Sequence, residues 1–252
     1  MRVRIRKQDR LVLSLFPGIG LLDRAFELEG FCVVRGPDLL WGGDIRLFHP
    51  PSNRFDGAIG GPPCQRFSRL SNVIRAVHGE ESLAPNLIPE FERVVLEAMP
   101  RWFVMENVEA APLPQMPGFD VQSIPLNNRW LGEDQNRLRR FSFGSRSDIA
   151  SGVFSCEPDI VKEESPVFAP VVCSSWGGRR AVPFSEPGKR KQACLYTFRS
   201  IAEEIALQGL PPDFLEDAPF TSVGKRKAIG NGVPIPMGRA IARAVKRAIS
   251  TE

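Results

Sequence analysis

Leu11-Val12-Leu13-Ser14-Leu15-Phe16-Pro17-Gly18-Ile19-Gly20-Leu21-Leu22 changes its periodicity partway along. Leu11 to Phe16 is an apolar run of strand length, and Pro17 to Gly20 is a turn. Leu21, Leu22, Ala25, Phe26 and Leu28 then fall at helical spacing as far as Gly30. The same alternation continues downstream. Phe31–Val34, Phe55–Ile59, Trp102–Met105 and Arg140–Phe143 have strand character, and Glu90–Ala98, Ser200–Leu207 and Pro236–Ile249 have helical character. Strands alternating with helices predict an α/β fold with a mostly parallel sheet and helices on both faces. Between Ser147 and Ala193 the chain turns rich in Pro, Gly and Ser and loses its helical period. That stretch predicts a small irregular lobe inserted into the main domain.

The 252 residues suffice for one large domain or a domain with a small lobe, and the 42% hydrophobic and 25% charged fractions are those of a globular protein. A net charge of +4 is only a mild hint of a polyanionic partner. The basic residues gather towards the ends: Arg2, Arg4, Arg6, Lys7 and Arg10, then Lys225 to Lys227 and Arg239 to Arg247. Solvated termini would account for them equally well. No apolar run reaches the length of a membrane span, and Leu11–Phe16 is too short for a signal sequence. Five scattered cysteines without Cys-x-x-Cys spacing, and only two histidines (His49 and His78), argue against a zinc site or a disulfide framework. No metal is expected, and a reducing, cytoplasmic setting fits.

The residues able to do chemistry gather after the strands. Gly60-Gly61-Pro62-Pro63-Cys64-Gln65-Arg66-Phe67-Ser68 places a thiol on a rigid turn. Taken alone, a cysteine is more often a small buried hydrophobe. Glu106-Asn107-Val108 puts a carboxylate at the end of an apolar strand, a position for a proton donor; a capping or surface acid is the alternative. In Gln135–Arg140, Arg137 and Arg139 would share one strand face and suit a phosphate or a base carbonyl. The turn Phe16–Gly20 could approach a ligand, with Asp38 accepting from a ribose and Asp44 from an adenine amino group. Gly230-Asn231-Gly232-Val233, before a basic amphipathic helix, could close the wall of that pocket.

In this order LFPGIG, GGPPCQRFS, ENV, QNRLRR and GNGV, with SIAEEIALQGLPPDF before the last, resemble the DNA (cytosine-5)-methyltransferase family. The resemblance covers the chain apart from about Ser147–Ala193 and implies a Rossmann-like class I methyltransferase fold. It implies a catalytic and cofactor-binding domain over 1–146, a small target-recognition region over 147–193 and a return segment over 194–252. Cys64 would be the nucleophile at carbon 6 of cytosine, Glu106 would meet the nitrogen 3 edge, and Arg137 and Arg139 would hold the flipped base. S-adenosyl-L-methionine would be held by Phe16, Gly18, Ile19, Gly20, Asp38, Asp44, Ile45, Pro62, Leu87, Asn231 and Val233. Gln65, Arg66, Ser68, Arg69, Arg179 and Arg180 would touch double-stranded DNA, and Arg66 to Gly79 would form a mobile loop closing over the base. The implied protein is a monomeric DNA (cytosine-5-)-methyltransferase of a prokaryote or phage, associated with the nucleoid, with a cognate restriction enzyme as a further partner.

The chain departs from the family pattern in places. Pro37 takes the usual place of the ribose-binding acid, leaving Asp38 as its substitute. Only five residues separate Asp38 from Asp44, so the helix normally found there is expected to be missing. Three alternatives stay open. One is an RNA cytosine-5 methyltransferase and one a catalytically silent DNA-binding relative. The third, a thiol hydrolase, lacks a histidine with a partner motif.

Overall fold

A computed structural model describes residues 10–67, 69–80, 83–146, 179–180 and 197–249. Its elements are β1 (Leu11–Leu15), α1 (Leu21–Leu28), β2 (Cys32–Arg35), β3 (Gly57–Gly60), α2 (Arg69–His78), α3 (Ile88–Ala98), β4 (Trp102–Asn107), β5 (Phe119–Asn127), β6 (Leu138–Arg146), β7 (Arg179–Arg180), β8 (Thr197–Phe198), α4 (Ile201–Leu207), α5 (Ser222–Asn231) and α6 (Ile235–Ile249). Six strands form one sheet in the order β2-β1-β3-β4-β6-β5, and β6 alone runs against its neighbours.

Strand alternation splits the core into two layers. Val12, Ile59, Trp102 and Val104 face α1 and α6, meeting Leu22, Phe26, Met237 and Ile241. Leu13, Leu15, Ala58, Phe103 and Met105 face α3, meeting Ile88, Phe91, Val94 and Val95. This is the α/β sheet with helices on both faces that the alternating pattern predicts. Glycines admit the large rings between strands. A Cβ at Gly57 would lie 2.1 Å from the Trp102 ring, and one at Gly144 would lie 2.0 Å from Phe103. Phe103 is fully buried and has nowhere to go. Gly144→Ala should therefore cost about 1–3 kcal/mol by overpacking. Urea unfolding would read this as a lower midpoint at an unchanged m-value; an unmoved midpoint would mean that the strand relaxes around the methyl group.

Helix α6 closes the molecule. Gly238 packs so tightly on α1 that its Cβ would come within 2.6 Å of the Ala25 methyl group. Glu29, just past α1, accepts from Arg239 (2.7 Å) and Arg243 (3.2 Å).

Several elements differ from expectation. A helix, α2, occupies part of the stretch expected to be a loop. Its sequence explains this, since Leu70, Val73, Ile74 and Val77 fall at helical spacing. Strand β5 was unforeseen because Asp120, Gln122 and Pro125 interrupt its apolar pattern; it is an edge strand, where proline is tolerated. The GNGV segment is the end of α5 rather than a free turn. Between Asp38 and Asp44 lies only the single turn Leu39–Trp41, so the expected loss of a helix is what the structure has. Among the described residues β2 is consequently a sheet edge, with Cys32 exposed.

Candidate active site

The carboxyl ends of β1, β3 and β4 lie side by side, as the pairs Leu15–Gly60 and Gly60–Met105 require. Three glycine-bearing or polar turns therefore open onto one crevice, the place where parallel α/β sheets bind ligands.

At the end of β1 the backbone turns left-handed three times, at Phe16 (φ 56°), Gly18 (φ 56°) and Gly20 (φ 79°). Such strain on a non-glycine residue gathers at functional turns. The Gly18 N–H donates to Asp38 Oδ2 (2.8 Å), and the Leu40 N–H donates to Oδ1 (2.8 Å). The Trp41 indole donates to the Gly18 carbonyl (2.7 Å). A Cβ at Gly18 would meet nothing within 4 Å, so the turn faces open space, bordered by the Asp38 carboxylate and by the Trp41 ring that its indole N–H ties to the turn. Those groups suit a nucleoside: an acid for vicinal hydroxyls and an aromatic ring for a flat base. Trp41 escaped the sequence analysis; a tryptophan just after Asp38 in a shortened connection was the available signal.

The Asp44 carboxylate already has a partner. Both its oxygens are taken by Arg46 (2.6–3.0 Å), and this bonding lowers its pKa. Ile45, Leu87 and Pro62 are buried, while Ile19 is only partly so. Gly232 presses on the first turn of α1, where a Cβ would lie 2.4 Å from Leu21. This contact brings Val233 and Asn231 towards the Gly18–Gly20 turn. Val233 is buried and Asn231 exposed.

Beyond β3, Pro62, Pro63 and Cys64 lead into a single turn, Gln65–Phe67. The Asn107 amide donates to the Pro62 carbonyl (3.1 Å) and ties this turn to the end of β4. Glu106, 8% exposed, lies against Gly61, where a Cβ would sit 2.9 Å from Oε2. A larger residue there would have to displace the Glu106 carboxylate. Arg139, on β6, pairs with Glu106 (Nε–Oε1, 3.0 Å). Arg137 lies just before β6 and is 4% exposed. Its Nη2 donates to the carbonyls of Gly230 and Gly232 (2.9 Å each), so it pins the end of α5. The structure thus brings Cys64, Glu106 and Arg139 together, and Arg137, close enough for its charge to act on the Cys64 thiol, also braces the end of α5.

Burial pushes the Cys64 thiol above its ordinary value, and the Glu106 carboxylate adds to the rise. Arg139 and Arg137 offset only part of it. Both causes of the rise favour the protonated thiol in the ligand-free protein.

Of the residues expected to touch DNA, Gln65 follows Cys64 directly and is exposed, and Arg66 comes next. Arg179 and Arg180 pair in backbone register with Phe198 and Thr197. Ser68 and the side chains of Arg69, Arg179 and Arg180 lie outside the described residues, as does most of 147–193. Among the described residues no group of His, Cys, Asp and Glu could hold a metal ion, and no helix is long and apolar enough to cross a membrane.

The type II methyltransferase M.NgoPII of Neisseria gonorrhoeae is 28% identical over 169 residues, which cover 55% of this chain and 48% of that protein. M.HgiDI of Herpetosiphon aurantiacus is 30% identical over 166 residues, covering 53% and 52%. The chain spans about half the length of these curated relatives. Among solved structures, the Entamoeba histolytica methyltransferase EhMeth superposes with a TM-score of 0.66 at 13% identity, covering 96% of this chain and 99% of that one. The fold is therefore that of the methyltransferases. Residues 42–172, more than half of the chain, match C-5 cytosine-specific DNA methylase, and the chain is a member of that family.

Proposed function

We propose that this protein transfers a methyl group from S-adenosyl-L-methionine to carbon 5 of a flipped-out cytosine in duplex DNA. The carrying observation is the convergence of the Cys64 thiol, the Glu106 carboxylate and the Arg139 guanidinium beside the open turn at Gly18. Phe16, Gly18, Asp38 and Trp41 suit the cofactor's nucleoside; the cofactor supplies an electrophilic methyl group on a sulfonium.

Carbon 5 of cytosine is a weak nucleophile. Addition of the Cys64 sulfur to carbon 6 turns the 5,6 bond into an enamine whose carbon 5 can attack the methyl carbon. Loss of the carbon 5 proton and departure of the Cys64 sulfur then restore the ring. Glu106, holding a proton at nitrogen 3, would draw off the charge that builds during addition. Arg139 would orient Glu106 and the base carbonyl. Because burial and Glu106 favour the protonated thiol, addition must be coupled to transfer of that proton to a base such as water, which holds the thiol in check until a cytosine is seated. The ring atoms are out of reach in a stacked duplex, so the base must leave the helix.

Residues 1–146 and 194–252 would then build the catalytic domain, and 147–193 would read the target. Bisulfite sequencing of DNA from cells expressing the protein tests both. Conversion-resistant cytosines in one sequence context are expected, and a changed context after exchange of 147–193 for a relative's segment. DNA without protected cytosines would overturn the activity, and an unchanged context would overturn the assignment of 147–193.

A further inference from the structure

Two arginines converge on one carboxylate next to the nucleophile. Arg66, two residues after Cys64, places Nη2 2.5 Å from Glu80 Oε1. Arg75, on α2, places Nε 2.6 Å from Glu80 Oε2. A second nitrogen of Arg66 donates to the Ala84 carbonyl (3.3 Å). Glu80 thus gives one oxygen to each arginine and ties the far end of α2 back to the Cys64 turn. Glu80 is 55% exposed and Arg75 47%, so water and solutes reach the pairs. Exposed pairs of this kind contribute little, about 0–1 kcal/mol each, and exchange readily.

A backbone phosphodiester presents the same feature, two anionic oxygens on one centre, and arginine forks match it. We propose that Arg66 and Arg75 form a phosphodiester subsite beside Cys64, and that Glu80 occupies it until DNA arrives. A DNA phosphate displaces the carboxylate, and the segment from Arg69 to Glu80 is freed to move as the base is seated. Glu80 is in this sense a positioning residue, acting through the two arginines. The inference rests on the DNA reading above.

The test uses Glu80→Gln, Arg66→Gln/Arg75→Gln and the triple variant in the full chain. Without DNA, amide hydrogen exchange in Glu80→Gln should quicken several-fold across residues 69–80 and stay unchanged in β3 and β4. With a non-specific duplex, fluorescence anisotropy should show Glu80→Gln binding roughly five-fold more tightly than wild type, as expected from a competing contact of about 1 kcal/mol. In the double-arginine background Glu80→Gln should change nothing. Equal tightening in both backgrounds would mean that removal of a negative charge acts at long range, and the subsite would be wrong. Unchanged exchange in a protein that still binds and methylates DNA would overturn the clamp and spare the methyltransferase reading. Quickened exchange with no DNA binding by any form would overturn the DNA reading and the subsite with it.

Discussion

Cys64→Ala should leave no covalent adduct when mixed with S-adenosyl-L-methionine and duplex DNA carrying 5-fluorocytosine in the target, whereas the wild-type protein is trapped. The fluorine at carbon 5 cannot leave as a cation in place of the proton, so an adduct that has accepted the methyl group persists. Denaturing gels then resolve a protein–DNA band. Methyl transfer to ordinary DNA should fall by about 10⁴-fold or more, the scale on which removing a covalent nucleophile acts. Stability should change little, because Cys64 sits on a turn that is only partly buried, ahead of a single helical turn. The fold being intact, cofactor binding by calorimetry should survive. Equal trapping of wild type and variant would place the nucleophile elsewhere and remove the proposed mechanism.

Glu106→Gln should act in opposite directions on two measurements. Glutamine keeps the shape but removes the charge, and that charge stands second only to burial in raising the Cys64 thiol. The change also deprives Arg139 of its partner, leaving a guanidinium free to favour a nearby thiolate. In the ligand-free variant the pH profile for alkylation of Cys64 by iodoacetamide should therefore move to lower pH. At pH 8 the variant should be modified faster than wild type. Methyl transfer should nonetheless drop by about 10²–10⁴-fold, because the nitrogen 3 proton has lost its carrier. A more reactive thiol in a slower enzyme separates the two tasks of one carboxylate. An alkylation profile that stays put or rises would show that the sulfur does not feel Glu106. Methyl transfer preserved within a few-fold would take Glu106 out of the chemistry.

Much of the sheet was legible because its central strands are nearly pure apolar runs. Leu11–Leu15, Gly57–Gly60 and Trp102–Asn107 are covered on both faces, and turns of Gly, Pro or charge bound them. The edge strand β5 was not. Only Leu126 of its nine residues is buried, so its sequence has no need to be apolar. The turns carrying Cys64 and Glu106 stood out as local patterns, glycine and proline around a thiol and an acid after a strand. What those residues touch is a tertiary matter. Nothing local says that Arg139 reaches Glu106 while Arg137, two residues earlier, turns to carbonyls more than ninety residues away. Nor does it say that Asn107 ties the Pro62 turn to β4. These outcomes depend on strand order and register, which long-range packing decides.

The union of α1 with α6 has a consequence for synthesis. Glu29 meets Arg239 across 210 residues of sequence, and Gly238 meets Ala25 across a similar span. On the ribosome, β1 and α1 emerge with one apolar flank bare, and α6 follows about 210 residues later. At about 5–20 residues per second the flank waits roughly ten to forty seconds for its cover. Closing so long a loop is slow, and chains with such distant contacts expose sticky intermediates meanwhile. The nascent protein is thus expected to depend on holding chaperones until α6 arrives, and a copy that stops short of Ile235 to be cleared rather than stored.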